Sequence, residues 1–514
     1  MNAYDVAIVG YGPAGVVAAA LLGQVGLSVY ACDRLPGVYE IPRAIALDHE
    51  IMRVFQQLGV VEAIEPYTEP FTPSEYFGVD GQLIRRMTMV EPPYPQGYTP
   101  SIVFTQPPVE RVLRARVAQM PNVTVGLGVE MREISPDAEG VTLRVVDASG
   151  LEKAVRARYA VACDGGSSPV RTQLDMPLED LAFDEPWLVV DVRVNERGLA
   201  KLPPVSVQYC EPERPCTLVI GPGNHRRWEI SLKPGEDPKQ VATAEETWKL
   251  LSRWLTPEDG ELWRQASYRF HALVAAQWRK GRVFLAGDAA HMQPPFLGQG
   301  MCQGIRDVTN LGWKLAAVLK GEVRGAAAEA LLDSYGIERK AHVRELTSRI
   351  KAVGAVICER DPAKARERDA RLLAESGGVV RDTPRQDILP RLEEGLLSPQ
   401  AHPARGSLFP QPWLQSGGRR VRMDELLGNG WRLVLACGTG HVAGSAWPGL
   451  GVLSLSAVPE CDGVAAQWFQ RHGCVAALVR PDNYVWGVAQ NAAAVDPLLQ
   501  QAAGALGLPL EMAA

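Results

Sequence analysis

YDVAIVGYGPAGVVAAALLGQVGLSVYACD, residues 4–33, decides the fold. Residues 4–9 form a short apolar run that reads as a strand. Residues 16–26 read as a helix ending near Gly26, and residues 27–32 as a second strand closed by Asp33. The whole is a βαβ unit of about 30 residues carrying GxGxxG, with an acid about 20 residues further on. Gly10 allows the tight turn. Gly12 lets the backbone approach a pyrophosphate, with Pro13 and Ala14 beside it at the helix start. Gly15 lets helix and strand pack closely. Asp33 is suited to both hydroxyls of a ribose, which favours FAD or NAD over NADP. Arg34 follows it and joins the cofactor-binding candidates.

Two further strands end in acids. Residues 159–163 (YAVAC) run into Asp164-Gly165, with Arg171 shortly after. Residues 281–315 read GRVFLAGDAAHMQPPFLGQGMCQGIRDVTNLGWKL: a strand, then Gly287-Asp288, a Pro- and Gly-rich loop, and a helix from about Met301. Ligands of open α/β sheets bind outside the carboxyl ends of the strands, so three strand-end acids aimed at one ligand say more than any one. Taken alone, Gly287-Asp288 is equally readable as a plain Asx turn. The helix start after Gly300 suits an anionic group.

Composition excludes several classes. The net charge of -6 leaves no basic footprint, so nucleic acid is not expected as a partner. Nine cysteines without CxxC point to buried thiols in a reducing cytoplasm rather than a disulfide framework or a zinc site. No signal-peptide pattern precedes the first strand, and the longest early apolar run is too short for a membrane span. No His/Cys/acid cluster suggests a metal.

The expected fold class is α/β: a Rossmann-type dinucleotide-binding domain, which the resemblance given below makes FAD-binding, an inserted β-sheet substrate domain and a small C-terminal α/β domain, which the same resemblance makes thioredoxin-like. Residues 1–68, 101–180 and 270–400 are assigned to the first, including a helical extension expected to lie on its outside. Residues 69–100 and 181–269 form the substrate-side sheet, and 407–514 the tail. The stretch 371–406 reads as a linker. Arg43 reads either as a solvated charge or as a cofactor contact. Arg226-Arg227 reads as a solvated hairpin end. In the tail, segment 438–444 mimics a second dinucleotide fingerprint with Glu460 as its acid, but Pro448 and Gly449 leave no room for the helix that motif needs.

The GYGPAG, Asp164-Gly165 and Gly287-Asp288 stretches together resemble the FAD-dependent aromatic hydroxylases, the group A flavoprotein monooxygenases. FLAGDAAH, PPFLGQGM, GIRD and NLGWKL carry the resemblance most strongly. QYCEPERP (208–215), RRWEISL (226–232), YRFHA (268–272) and LLDSY (331–335) are similar to the 3-(3-hydroxyphenyl)propionate hydroxylase branch. The tail resembles the thioredoxin-like domain of phenol hydroxylase relatives, but has no CxxC and so no expected redox role.

The resemblance implies NADH or NADPH as reductant, O₂ as co-substrate and ortho-hydroxylation of a phenol to a catechol through a C4a-hydroperoxyflavin. It puts Gly10, Gly12, Gly15, Asp33, Arg43, Gln106, Asp164, Asp288 and the Gly298–Met301 segment, including Gly300, at FAD positions. Pro295 matches a proline whose carbonyl borders flavin and substrate. Where some relatives carry a catalytic Asp, this chain has Ile45. Asp48, His271 and Tyr268 are the remaining candidates for the base, and His291 is expected to orient its loop through a hydrogen bond. Two other readings are carried: a flavin enzyme of the same fold acting by epoxidation or halogenation on a non-phenolic or polyketide-like substrate, and a non-catalytic flavin protein. The tail also reads as a homodimer contact.

Overall fold

The strand Ala3–Val9 pairs in parallel with Val29–Asp33 on one side and Glu152–Ala162 on the other. Glu152–Ala162 pairs in parallel with Val283–Leu285. The register sets Val9 beside Cys32 and Ala162, and Ala162 beside Leu285. Four carboxyl ends therefore finish level, and Gly10, Asp33, Asp164 and Asp288 follow at one edge. The carboxyl-terminal parts of these strands are apolar and buried because both faces are covered there, as parallel sheets require. Helices Pro13–Gln24 and Gly300–Leu319 pack on one another over one face. The computed structural model describes residues 3–436, 445–508 and 511–512; the fingerprint-like turn at 438–444 lies outside them.

A second sheet of nine strands crosses the chain's inserted regions. It runs His291–Met292, Gly260–Ala275, Leu178–Val194, His225–Ser231, Cys216–Ile220, Ser206–Tyr209, Ser74–Phe77, Leu83–Thr88 and Arg381–Pro384. Alternation splits it into two faces. Leu188, Val190, Leu218, Trp228 and Ile230 form an apolar layer against Leu251 and Leu255. The opposite face carries Asp191, Gln208, Thr217, Arg227 and Glu229, all buried.

Three expectations are corrected here. Arg227 is not a solvated hairpin end: it is 3% exposed and faces the cofactor domain, while Arg226 is half-buried at the turn. The 371–406 stretch is not all linker, since Arg381–Pro384 adds an edge strand to the large sheet. Helix Gly325–Ile357 does not lie wholly outside: Glu329, Asp333 and Ile337 are exposed, but Glu338 and Arg339 are buried in ion pairs with His342 beside them.

The tail is a mixed four-stranded sheet, ordered Gly451–Ser454, Arg432–Leu435, Ala476–Val479 and Val485–Ala489, with helices Val464–His472 and Val495–Leu506. This is a small thioredoxin-like α/β unit. Glu460 opens the first of these helices by accepting from Ala465 N (2.9 Å) and Ala466 N (2.7 Å). Charge fastens the tail to the rest. Glu338 accepts from Lys314 Nζ (2.8 Å), Asn310 Nδ2 (2.7 Å) and Arg480 Nη2 (2.7 Å), and Arg480 also pairs with Asp482 (2.6 Å). A second cluster joins Arg53 and Arg432 through Asp424 and Asn483.

Burial would raise the Glu338 carboxyl, but Arg480 and Lys314 overcome it and hold the group down at about 2. Burial, with Arg480 adding to it, pulls Lys314 down to about 8 against the upward pull of Glu338, so it stays charged at neutral pH. A carboxyl depressed in the fold stabilises above its unfolded value and loses that contribution as pH falls through its folded value. Glu338→Gln should therefore lower stability at pH 7 by on the order of 3 kcal/mol. It should also flatten the loss of stability between pH 4.5 and about 2. Urea unfolding at several pH values checks both; an unchanged profile would contradict the assignment.

Candidate active site

One cavity of about 380 Å³ lies between the level strand ends and the polar face of the nine-stranded sheet. Its first wall is the glycine loop. Gly10 has φ +92°, and a Cβ there would sit 2.3 Å from Cys163 O. A Cβ on Gly15 would sit 2.0 Å from Gly10 O. Both glycines are thus required by the packing of helix on strand. Gly12 is different: a Cβ there meets only the Arg43 guanidinium, at 3.8 Å, and would stand in the cavity that Gly12, Pro13 and Ala14 line. The protein does not need that space, so it is kept for a ligand.

The helix starts at Pro13 and Gly300 reach this cavity without side-chain caps. Uncapped N-termini leave N–H donors free and favour negative charge. Gly287 lines the wall in a tight turn with φ +60°. Asp288 opens onto the cavity while protein surrounds it, and that burial raises its carboxyl above the usual range. Pro295, Gly298, Gly300 and Met301 continue the wall. The Pro295 carbonyl already accepts from Gly298 N at 2.7 Å, closing a turn whose Gly298 lies tight against Ala46. Gln106 lines the site and holds the Arg43–Ala44 backbone, its Oε1 accepting from Arg43 N (3.1 Å) and Ala44 N (2.7 Å). Arg43 lines the cavity with an exposed side chain, as a ligand contact requires.

Other expected site residues work from behind the wall. Asp33 accepts from Tyr11 N (2.7 Å) and Leu35 N (2.8 Å), so it fixes the glycine loop from outside the cavity. Arg34 is exposed and off the wall. Gly165 lines the cavity; Asp164 beside it does not. Asp164 accepts from Val170 N at 3.1 Å, its other oxygen is buried without a partner, and burial raises its pKa. Arg171 is corrected from cofactor contact to clamp: it donates to Ala289 O (2.8 Å) and Gly166 O (2.6 Å), tying the two acid-bearing loops together.

The candidates for the base separate cleanly. Asp48 caps helix His49–Gln57 and is ion-paired with Arg306, away from the cavity. His271 lies off the wall with Asp184 3.7 Å away. Tyr268 does line the cavity, stacked on Phe270 with centroids 6.4 Å apart. His291 has the expected orienting bond, Nε2 to Asp307 Oδ2 at 2.7 Å.

Several lining residues were not anticipated: Gln208, Thr217, Glu229, Arg264, Gln293 and Arg385. Both polar ends of Gln293 are buried without a partner. Polar side chains on every second residue of 227–231 were a signal for the sheet residues among them. It went unused because Arg226-Arg227 reads as a solvated hairpin end, and the layer that covers Arg227 comes from elsewhere in the chain.

Comparison with known proteins decides the family. A model described as "FAD binding domain" matches residues 3–350, and one described as "HcaD C-terminal domain" matches 406–504. The chain is 37% identical, over 98% of its own length and 96% of the relative's, to a probable NADH-specific resorcinol 4-hydroxylase of Rhodococcus jostii. This chain belongs to the FAD-binding aromatic hydroxylase family. It is also 32% identical, over 94% of its length and 93% of the relative's, to a 3-(3-hydroxy-phenyl)propionate/3-hydroxycinnamic acid hydroxylase of Burkholderia vietnamiensis. The fold matches the crystal structure of the flavin-dependent monooxygenase PieE with a TM-score of 0.82 at 21% identity, covering 99% of this chain and all of that one. FAD is the cofactor of the family. The free space at Gly12 and the uncapped helix starts fit such a group. Among the described residues no helix is long and apolar enough to cross a membrane.

The two kinds of glycine separate in a simple comparison. Gly15→Ala forces a clash with backbone and should cost at least the 1–3 kcal/mol typical of overpacking. Gly12→Ala should leave the thermal midpoint within a few degrees of wild type. Thermal unfolding of both apoproteins checks this, and a Gly15→Ala variant as stable as Gly12→Ala would contradict the packing argument.

Proposed function

We propose that this hydroxylase uses NADH and O₂ to add a hydroxyl ortho to the ring oxygen of a small phenol substituted at the meta position. The observation that carries this is the single cavity, which joins an anion-accepting glycine loop to a buried polar sheet face. Resorcinol and 3-(3-hydroxyphenyl)propionate, which the relatives' names give, are both meta-substituted phenols. NADH follows the resorcinol relative, whose name states that specificity. Every named hydroxylase among these relatives favours hydroxylation over epoxidation or halogenation. A cytoplasmic location belongs to the same reading, since the exposed thiol of Cys461 stays reduced there.

Bound FAD supplies the redox chemistry, accepting hydride from NADH and activating O₂. The chain supplies the rest. Gly12, Pro13 and Ala14 would present the helix start to the pyrophosphate. Asp288 would take the ribityl hydroxyls, with Arg43 and Gln106 across from it. Gly298, Gly300 and Met301 would lie along the ring, where the second helix start favours negative charge. Ile45, Phe71 and Phe296 make apolar parts of the wall and exclude water from the reacting atoms.

Purified protein should be yellow, and its NADH oxidation should rise with resorcinol or 3-hydroxyphenylpropionate while a product with one more hydroxyl appears. Absence of flavin after reconstitution, or NADH use without hydroxylated product across a panel of phenols, would contradict the proposal. Asp288→Ala should weaken FAD retention about tenfold or more, the scale of a lost charged hydrogen bond. Flavin titration of the apoprotein measures it.

A further inference from the structure

Two carboxyl groups line the cavity, Asp288 and Glu229. Asp288 stands with the strand ends and the glycine loop. Glu229 stands on the opposite wall, in mid-strand, between Val189 and Thr217 on the neighbouring strands. It is 7% exposed. Among the described residues its side chain has no hydrogen bond and no ion pair.

The charges around it are engaged elsewhere. Arg227, two residues earlier on the same face, donates through Nε to Asp191 (2.7 Å) and through Nη1 to Arg43 O (2.8 Å). Arg264 donates to Pro42 O at 2.6 Å and lies 3.5 Å from Asp191. Thr217 turns its hydroxyl to Gln208 Oε1 at 2.5 Å. A buried carboxyl left without a partner is costly unless a ligand completes it, and the ligand must bring a hydrogen-bond donor. Phenols have one.

The other candidates for removing a phenolic proton fail on position or strength. Ile45 is apolar, Asp48 is held by Arg306, and His271 lies off the cavity. Tyr268 is itself a phenol and would only exchange one phenolic proton for another.

Resting on the hydroxylase reading above, we propose that Glu229 is the catalytic base that takes the proton of the substrate's ring hydroxyl. The O–H bond of the phenol breaks and a new one forms on a Glu229 oxygen. The electron pair stays on the ring oxygen, raising electron density at the ortho carbon that receives oxygen from the FAD and O₂ of the established reaction. When the product regains its aromatic form, Glu229 returns the proton to that oxygen, and the hydrogen of the hydroxylated ring carbon leaves as a proton that departs with the second O₂ oxygen as water. Burial pushes the Glu229 carboxyl up to about 7, with Arg227 and Arg264 pulling it down and Asp191 pushing it up. Asp288, Arg43 and Arg385 line the same cavity from other elements, and Tyr268 lines it from the same sheet as Glu229. A base with that affinity is matched to neutral pH.

The test is Glu229→Gln in the FAD-loaded enzyme, with Glu229→Asp alongside. Wild-type kcat/KM should fall as pH drops below about 7, where Glu229 becomes protonated. Glu229→Gln should keep FAD, lower kcat by about 10²–10³-fold and lose that acid limb, with KM little changed. Glu229→Asp should keep the limb at a reduced rate. As a readout independent of turnover, phenol binding to the FAD-loaded enzyme should weaken below about pH 7 in wild type and be independent of pH there in Glu229→Gln. Wild-type kcat with an intact acid limb in Glu229→Gln overturns the assignment, as does a rise in KM alone. Should Glu229→Gln fail to fold, a fully active Glu229→Asp without an acid limb overturns it. A wild type that holds FAD but hydroxylates no phenol overturns the hydroxylase reading itself.

Discussion

Two adjacent side chains near the start of one helix, Arg306 and Asp307, hold the site together. Asp307 accepts from Gly287 N (2.9 Å), His291 Nε2 (2.7 Å) and Arg339 Nε (2.8 Å). Burial alone would favour its neutral form, but the charges of His291 and Arg339 keep the carboxyl below its usual range. That one group locks the acid-bearing turn to the helix whose free N-terminus faces the cavity. Arg306 points the other way and pairs with Asp48, Glu50 (2.5 Å) and Gln299 (2.9 Å). Glu50 then accepts from Tyr484 of the tail at 2.9 Å. A chain of buried charge thus runs from the thioredoxin-like unit to the loop before the uncapped helix. Removing one member of such a network strands the others at several kcal/mol.

The site itself is built from groups left unsatisfied on purpose of fold rather than by default. The helices starting at Pro13 and Gly300 reach the cavity without side-chain caps, whereas Asp48, Asp361 and Thr243 each accept from the first turns of helices that begin elsewhere. Gln293 lines the same space with no partner at either polar end, while buried charges nearby, such as Asp191 and Arg227, satisfy each other. The contrast marks where a ligand's own donors, acceptors and charge complete the protein.

The glycine fingerprint and the level strand ends were legible because they are local: Gly10 and Gly15 are fixed by contacts within the first βαβ unit and its neighbouring strand. The tail's four strands were legible from their apolar runs. What could not be read was which face of an alternating strand is covered. Arg227 and Glu229 look like solvent residues in sequence because nothing local shows the cofactor domain lying over them. Asp48 looked like a candidate base because its partner Arg306 is far away in the chain. Arg381–Pro384 was hidden in a polar stretch because an edge strand needs little apolar content to pair. In each case the deciding partner is distant in sequence, and periodicity carries no information about it.

The central claim is that one cavity holds flavin against the strand ends and phenol against the buried sheet face. A crystal structure of the protein with FAD and a bound meta-substituted phenol tests it most directly. The account predicts the pyrophosphate at the helix start beside Gly12, the flavin ring along Gly298 and Met301, and the phenol oxygen within hydrogen-bond reach of Glu229. A phenol bound with its hydroxyl turned away from Glu229, or flavin seated outside this cavity, would contradict it.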